Sequence, residues 1–281
     1  MSLAALCVAG FAITFRLFER YDVPLLPAIT VNYATSVACG FLIAPPDLSR
    51  DLTTLGPAAM LLGALFVLIF TLSGLSAQRA GSARTTIAGR MSLVLTIAGT
   101  VIIFHERIGG TTLLGIGLAL VGLVLSSMTD VEQGARRSWA LPLSIFLCSG
   151  AADISITVIQ RTLTTTENSS SFPTLCFAAS TCVSIVLLLI RREHRALRYL
   201  RTWLGGAALG VLNYASLLFL VQALEAGEYP ATEIFPMMNI LAILFATTIG
   251  ITFFRERLSV RQWSGIALCI SSLVLIMSAS A

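Results

Sequence analysis

Ten long apolar runs divide this sequence, and they leave little freedom in how it folds. They fall at roughly 2–18, 25–44, 57–78, 85–104, 111–128, 141–160, 171–190, 204–224, 231–254 and 259–278. About 20 apolar residues in a helix cross the hydrocarbon layer of a bilayer. The runs are rich in Leu, Ala and Ile without two-residue alternation, which favours helices over barrel strands. Inside lipid every backbone N–H and C=O needs a partner, and a helix supplies it from its own chain. Composition agrees: 11% of the 281 residues are charged and mean hydropathy is +0.89, against roughly 25% charged residues in an average soluble chain. The breaks carry turn and charge signals, such as Pro45-Pro46-Asp47, Gly109-Gly110, Thr129-Asp130 and Arg191-Arg192-Glu193. The first run has no basic leader and no clear small-residue cleavage site, so it is expected to be a first membrane helix.

The net charge of +4 comes from arginine, because the chain has no lysine. Most arginines fall in the odd-numbered loops, whereas only Arg50, Arg107 and Arg161 fall in the even-numbered ones. Arg90 lies within a span. Basic loops face the cytoplasm. This predicts odd loops in the cytoplasm and both termini outside, for a multi-pass protein of a bacterial cytoplasmic (inner) membrane. Arginines spread between apolar runs make no basic patch, so no nucleic-acid partner is expected. Cys7, Cys39, Cys148, Cys176, Cys182 and Cys269 all sit inside apolar runs and form no C-x-x-C pair. They read as small apolar side chains, with no metal or cofactor expected.

The halves repeat. Phe104-His105-Glu106-Arg107-Ile108 returns 150 residues later as Phe254-Arg255-Glu256-Arg257-Leu258. The same offset carries Gly115-Ile116 to Gly265-Ile266 and Leu123-Val124-Leu125 to Leu273-Val274-Leu275. Upstream an offset of 146 matches Pro27 with Pro173, Ala80-Gly81 with Ala226-Gly227 and Met91 with Met237. Charged residues are scarce here, so the F-x-E-R match carries more weight than the leucines. The expected units are residues 1–130 and 139–281, joined by a linker at 131–138. Each holds five spans, an odd number, so the second unit is inverted in the membrane relative to the first. The expected fold class is an all-α integral membrane protein with ten transmembrane helices in two inverted five-helix repeats. Inverted repeats let a site between two halves open first to one side and then to the other.

These features resemble the drug/metabolite transporter superfamily, in particular the EamA-type permeases. The resemblance is carried by a short Glu-Arg element between the fourth and fifth span of each unit. It is strongest in the second half, at Ala226-Gly227, Phe235-Pro236, Phe254-Arg255-Glu256-Arg257-Leu258 and Trp263-Ser264-Gly265-Ile266-Ala267-Leu268. Leu17-Phe18-Glu19-Arg20 with Asn32-Tyr33 is similar to uncharacterised bacterial members. The resemblance implies a proton-coupled or exchange-type carrier of small metabolites, amino acids among them.

Ionisable residues inside spans are expensive, and function is the default reason for them. Asp153 lies about 18 Å into the sixth span, too deep for a short carboxylate to reach water along its helix. It reads either as a proton- or cation-binding group on a solute pathway or as a structural partner for another helix. Arg90, about 8 Å into the fourth span, either snorkels to the interface or holds an anionic group in a cavity. Glu233 is either a first-turn acid favoured by the helix dipole or a gate partner to Arg90. Gln160 continues the polar part of the sixth span. Asn32, Tyr33, Asn213, Tyr214 and Asn239 either bridge helices or line one polar cavity with Asp153. Glu106-Arg107 and Glu256-Arg257 read as helix-end anchors.

The expectation is a secondary active transporter, not an enzyme. It would move a small polar or zwitterionic solute by alternating access, with protons as a coupling ion, as a monomer or homodimer. No Walker-type phosphate loop, D-x-x-D, H-E-x-x-H or nucleophile elbow occurs. The alternatives are a lipid flippase component or a non-transporting membrane subunit, with a membrane-embedded enzyme further behind.

Overall fold

A computed structural model of the chain describes residues 1–80, 82–106, 109–127, 140–165, 168–254 and 258–280. Gly81, Arg107-Ile108, Thr129-Asp130, the linker 131–138 and Arg255-Glu256-Arg257 lie outside the described residues. Every regular element described is helical. The order is α1 (Ser2–Arg20), α2 (Leu25–Ile43), α3 (Leu48–Ala80), α4 (Ser82–Met91), α5 (Leu93–Phe104), α6 (Gly110–Ser127), α7 (Ala140–Thr162), α8 (Phe172–Ile190), a short 3-10 helix (Glu193–Arg198), α9 (Leu200–Ala226), α10 (Ala231–Phe254) and α11 (Val260–Ser280). Eight helical stretches are long and apolar enough to cross a membrane, and Ser2–Phe15 and Gly110–Ser126 are shorter apolar helices.

Two elements differ from the sequence reading. The third helix starts at Leu48 rather than near residue 57. Pro57, where the apolar run begins, lies inside the helix, nine residues from its beginning. The Asp51 carboxylate accepts the Asp47 backbone N–H at 3.1 Å and pins the helix start. The fourth run is interrupted. Ser92 separates α4 from α5, and its hydroxyl donates to the Gly89 carbonyl at 2.7 Å. Ser92 keeps helical dihedrals, and the bonds from its N–H to the Ala88 carbonyl and from the Thr96 N–H to its own carbonyl carry the ladder across the joint.

Packing runs across the two halves of the sequence. Helix α1 lies on α9 and α10, α2 on α8 and α9, α3 on α7 and α8, and α6 on α11. Helices α4 and α5 both lie on α7. Small residues set the closest approaches. A Cβ on Gly122 would meet the Gly265 carbonyl at 2.8 Å, and one on Gly115 would meet Ile276 at 2.7 Å. Rising numbers on α6 therefore meet falling numbers on α11, and the pair is antiparallel. Van der Waals contact between close backbones substitutes for the hydrophobic driving force that lipid removes. Leu42, Ile102, Leu200, Phe253 and Val260 are among the most exposed large apolar side chains, as lipid-facing residues must be. Tyr33, Tyr214, Phe172, Phe177 and Phe235 are fully enclosed.

Candidate functional site: buried polar groups between the halves

Arg90 occupies the last turn of α4, two residues before the break at Ser92. Its Nη1 donates to Asn239 Oδ1 at 2.6 Å. Asn239 in turn donates its Nδ2 to the Phe235 carbonyl at 3.0 Å, which fixes the amide with its oxygen towards the guanidinium. Pro236 stands one residue beyond that carbonyl and has no N–H to give the helix ladder. Cys269 on α11 lies close enough to interact with the Arg90 charge. Arg90 is thus held inward by a neutral partner and does not point along its helix to the interface.

Asp153 sits in the middle of α7. Its Oδ2 accepts the Thr96 hydroxyl of α5 at 3.1 Å. One turn on, Thr157 donates to the Asp153 backbone carbonyl at 3.0 Å. Arg90 and Thr96 are six residues apart across the α4–α5 break, or about 9 Å of helix rise. Arg90 and Asp153 are thus each held by a neutral group, on α10 and α5 respectively.

A second polar set joins α2 and α9. Asn213 donates its Nδ2 to Asn32 Oδ1 at 3.2 Å. Tyr33 stacks on Phe177 at 6.1 Å and meets Phe70 edge-on at 6.1 Å, while Phe177 lies 6.5 Å from Tyr214. Tyr214 lies beside Thr174 and Cys39. Among the described residues, Asn32 Nδ2, the Tyr33 hydroxyl and Gln160 Oε1 are enclosed without a hydrogen-bond partner, and the enclosed Tyr214 and Thr174 hydroxyls have only each other. Most enclosed polar atoms are paired, so this concentration calls for a ligand, ordered water or a rearrangement that supplies partners. Gln160 lies seven residues beyond Asp153 on α7, two turns further along.

Glu233, at the start of α10, accepts the Thr112 hydroxyl of α6 at 3.4 Å. It lies about 9 Å of helix rise from Asn239, the residue that holds Arg90. The structure thus brings Arg90 to Asn239, Asn32 to Asn213 and Tyr33 to the ring cluster of Tyr214, and gives Asp153 and Glu233 threonine partners.

Sequence reasoning passed over Thr96, Thr174, Glu106 and Arg161 as site residues. A threonine inside an apolar helix usually bonds its own preceding turn, so nothing in the sequence separates Thr96 from Thr100. At the even-loop end, Arg161 Nη2 meets Glu106 Oε1 at 2.5 Å, and the Thr232 backbone N–H donates to Glu106 Oε2 at 3.2 Å. At the odd-loop end a cavity of about 310 Å³ opens between α2, α3 and the residues after α8, lined by Leu25, Ile29, Thr71, Leu75, Arg191 and Glu193.

Comparison with known proteins joins this geometry to a family. The EamA-like transporter family matches residues 142–278. Over that stretch, the chain is similar to EamA-like transporters. An uncharacterised protein of Haemophilus influenzae is 26% identical over 283 residues, covering 96% of this chain and 94% of its own. A crystal structure superposes with a TM-score of 0.74 at 13% identity, covering 99% of this chain and 95% of the other, a likeness of fold. The eight long apolar helices make a multi-pass membrane protein, and its second half is similar to the EamA-like transporters.

Proposed function

We propose that this EamA-like protein is a secondary carrier with ten spans in two inverted five-helix units, with α4 and α5 together forming the fourth span. By alternating access it moves a small polar or zwitterionic metabolite, such as an amino acid, across the inner membrane. The observation that carries this reading is the exchange symmetry of the packing. Swapping the halves turns the α1–α9 contact into α7–α3, α2–α9 into α8–α3, and α1–α10 into α7–α4 and α7–α5, all of which occur. The 150-residue offset maps the contact of Gly115 with Ser272 and Ile276 onto that of Gly265 with Gly122 and Ser126. The helix pairs match in kind as well, though not residue for residue: Ser36 of α2 donates to the Gly210 carbonyl of α9 at 2.9 Å, and Ser180 of α8 to the Gly63 carbonyl of α3 at 3.1 Å. Counterparts α6 and α11 are antiparallel, as inversion requires. Two halves with interchangeable contacts have two states of similar energy, which a carrier needs.

Within this reading Arg90 receives an anionic group of the solute, because among the described residues its one hydrogen-bond partner is the neutral Asn239. Asp153 takes the coupling proton or a cationic group. Asn32, Tyr33, Asn213, Tyr214 and Gln160 bind neutral polar atoms, Asn239 orients Arg90, and Glu233 lies on the pathway above it. Reconstitution into liposomes with a panel of labelled amino acids and small polar metabolites tests the proposal. At least one solute should accumulate under an imposed pH gradient or exchange by counterflow. Flux no greater than in empty liposomes for every solute, in both formats, would exclude it.

A further inference from the structure

The Glu106 carboxylate touches three helix ends at once. It belongs to the segment that leaves α5, it pairs with Arg161 at the end of α7, and it accepts the Thr232 N–H at the start of α10. These three helices also carry the buried charged centre: Thr96 on α5, Asp153 on α7 and Asn239 on α10. Along each helix the clamp stands the same distance from that centre. Phe104 is eight residues beyond Thr96, Arg161 eight beyond Asp153, and Thr232 seven before Asn239, or about 10–12 Å in each case. Two turns of three converging helices thus separate the centre from one carboxylate.

The clamp is built for strength. Glu106 is only 9% exposed and Arg161 31%. The Arg161 guanidinium also lies over the Phe104 ring at 4.5 Å, which fixes its plane against the end of α5. The Glu106 carboxylate gains from its low exposure, whereas its partner Arg161 reaches the surface. The start of α10 favours an anion, and Glu106 supplies one from another helix to the Thr232 N–H. Every one of these contacts crosses between the halves, because Phe104 and Glu106 belong to the first and Arg161 and Thr232 to the second. At the opposite end the cavity at Ile29 and Thr71 is open. The 150-residue offset carries Glu106 to Glu256 in sequence.

We propose that the Glu106–Arg161–Thr232 clamp is the gate that closes the even-loop mouth over the Asp153 and Arg90 centre, and that it must break once in each transport cycle. The inference rests on the carrier reading above. Glu106 is a gating residue that positions three helices and does not touch the solute.

Thr157 reports on the gate. It is enclosed on α7, midway between Asp153 and Arg161. In a background with the six native cysteines replaced by serine or alanine, Thr157→Cys is offered a membrane-impermeant maleimide on intact cells and on inverted vesicles, so that each face is sampled alone. With the clamp intact, labelling from the even-loop face is slow. Glu106→Gln or Arg161→Gln is expected to speed it about tenfold or more from that face only. The charge swap Glu106→Arg with Arg161→Glu restores part of the protection. Rates within twofold of the parent in both single variants overturn the gate. A second measurement serves if the reporter fails to fold: Glu106→Cys with Arg161→Cys, oxidised to a disulfide, should stop solute flux, and reductant should restore it. Unchanged flux in the cross-linked protein also overturns the proposal. Accessibility is read without any solute. A gate that responds in a protein that transports nothing leaves the clamp and removes the carrier reading, and the reverse result does the opposite.

Discussion

Arg90 and Asp153 are charges placed where charge is expensive, and neither is paired with an opposite charge in the contacts that hold it. A charged side chain at the centre of a membrane helix costs about 2.5–3.5 kcal/mol on insertion scales. A hydrogen bond to a charged group contributes about 1.5–3 kcal/mol. One bond from Asn239 or Thr96 therefore offsets a good part of that cost but leaves each charge with unused bonding capacity, which suits a site that fills and empties. Asp153→Asn keeps an oxygen for Thr96 and removes the charge. It should lower pH-driven accumulation at least about tenfold while counterflow persists, with a thermal midpoint in detergent no lower than the parent's. Full pH-driven flux in this variant would remove Asp153 from coupling. Arg90→Gln should weaken a carboxylate-bearing solute about 10–100-fold in competition assays and leave its amide analogue nearly unaffected. Both charges were legible in the sequence because an ionisable residue stands out in an apolar run, where its burial is costly. Their partners were not, because threonine and asparagine are common enough in helices to pass for local hydrogen bonding.

At the scale of elements, glycine decides which faces touch. Helix α6 offers an internal comparison. Gly117 has nothing within 4 Å of an added Cβ, whereas Gly122 would drive one into the Gly265 carbonyl and Cys269 Sγ, both at 2.8 Å. Gly122→Ala should lower stability by about 1–3 kcal/mol, since backbone cannot step aside. Gly117→Ala should be neutral or gain up to about 1 kcal/mol from helix propensity. Thermal unfolding in detergent, followed by size-exclusion fluorescence, separates the two; equal midpoints would mean that α6 and α11 do not pack this way. Runs of apolar residues made the helices legible within a few residues at most ends. The exceptions have physical causes. Pro57 stands where the apolar run begins, but a proline in the second or third turn of a helix costs little once other groups take up the freed carbonyl. The break at Ser92 is invisible because Met91-Ser92-Leu93 is ordinary helix sequence, and only the hydroxyl's bond back to Gly89 marks it.

For the whole molecule, the arginine distribution predicts an orientation. The proposed ten spans with basic odd loops predict both termini outside. A phosphatase fused after Ala281, active only outside the cytoplasm, should be active in cells, and a fusion in the segment between α3 and α4 should not. The reverse pattern would invert every statement about which mouth faces the cytoplasm, while leaving the gate and the buried centre unchanged. The sequence by itself determined that the chain is helical, lies in a membrane, carries two unlike charges inside it and repeats its F-x-E-R element 150 residues apart. Hydrophobicity, helix rise and repeat offset are properties of a chain read along its length. Tertiary structure alone decided that Arg90 meets Asn239, that Asp153 meets Thr96, and that Glu106, which reads as a simple helix-end anchor, gathers the ends of α5, α7 and α10. Those contacts join residues 57, 149 and 126 positions apart. Such distances are closed by packing between helices, and in lipid that packing follows from which small side chains let two backbones come close.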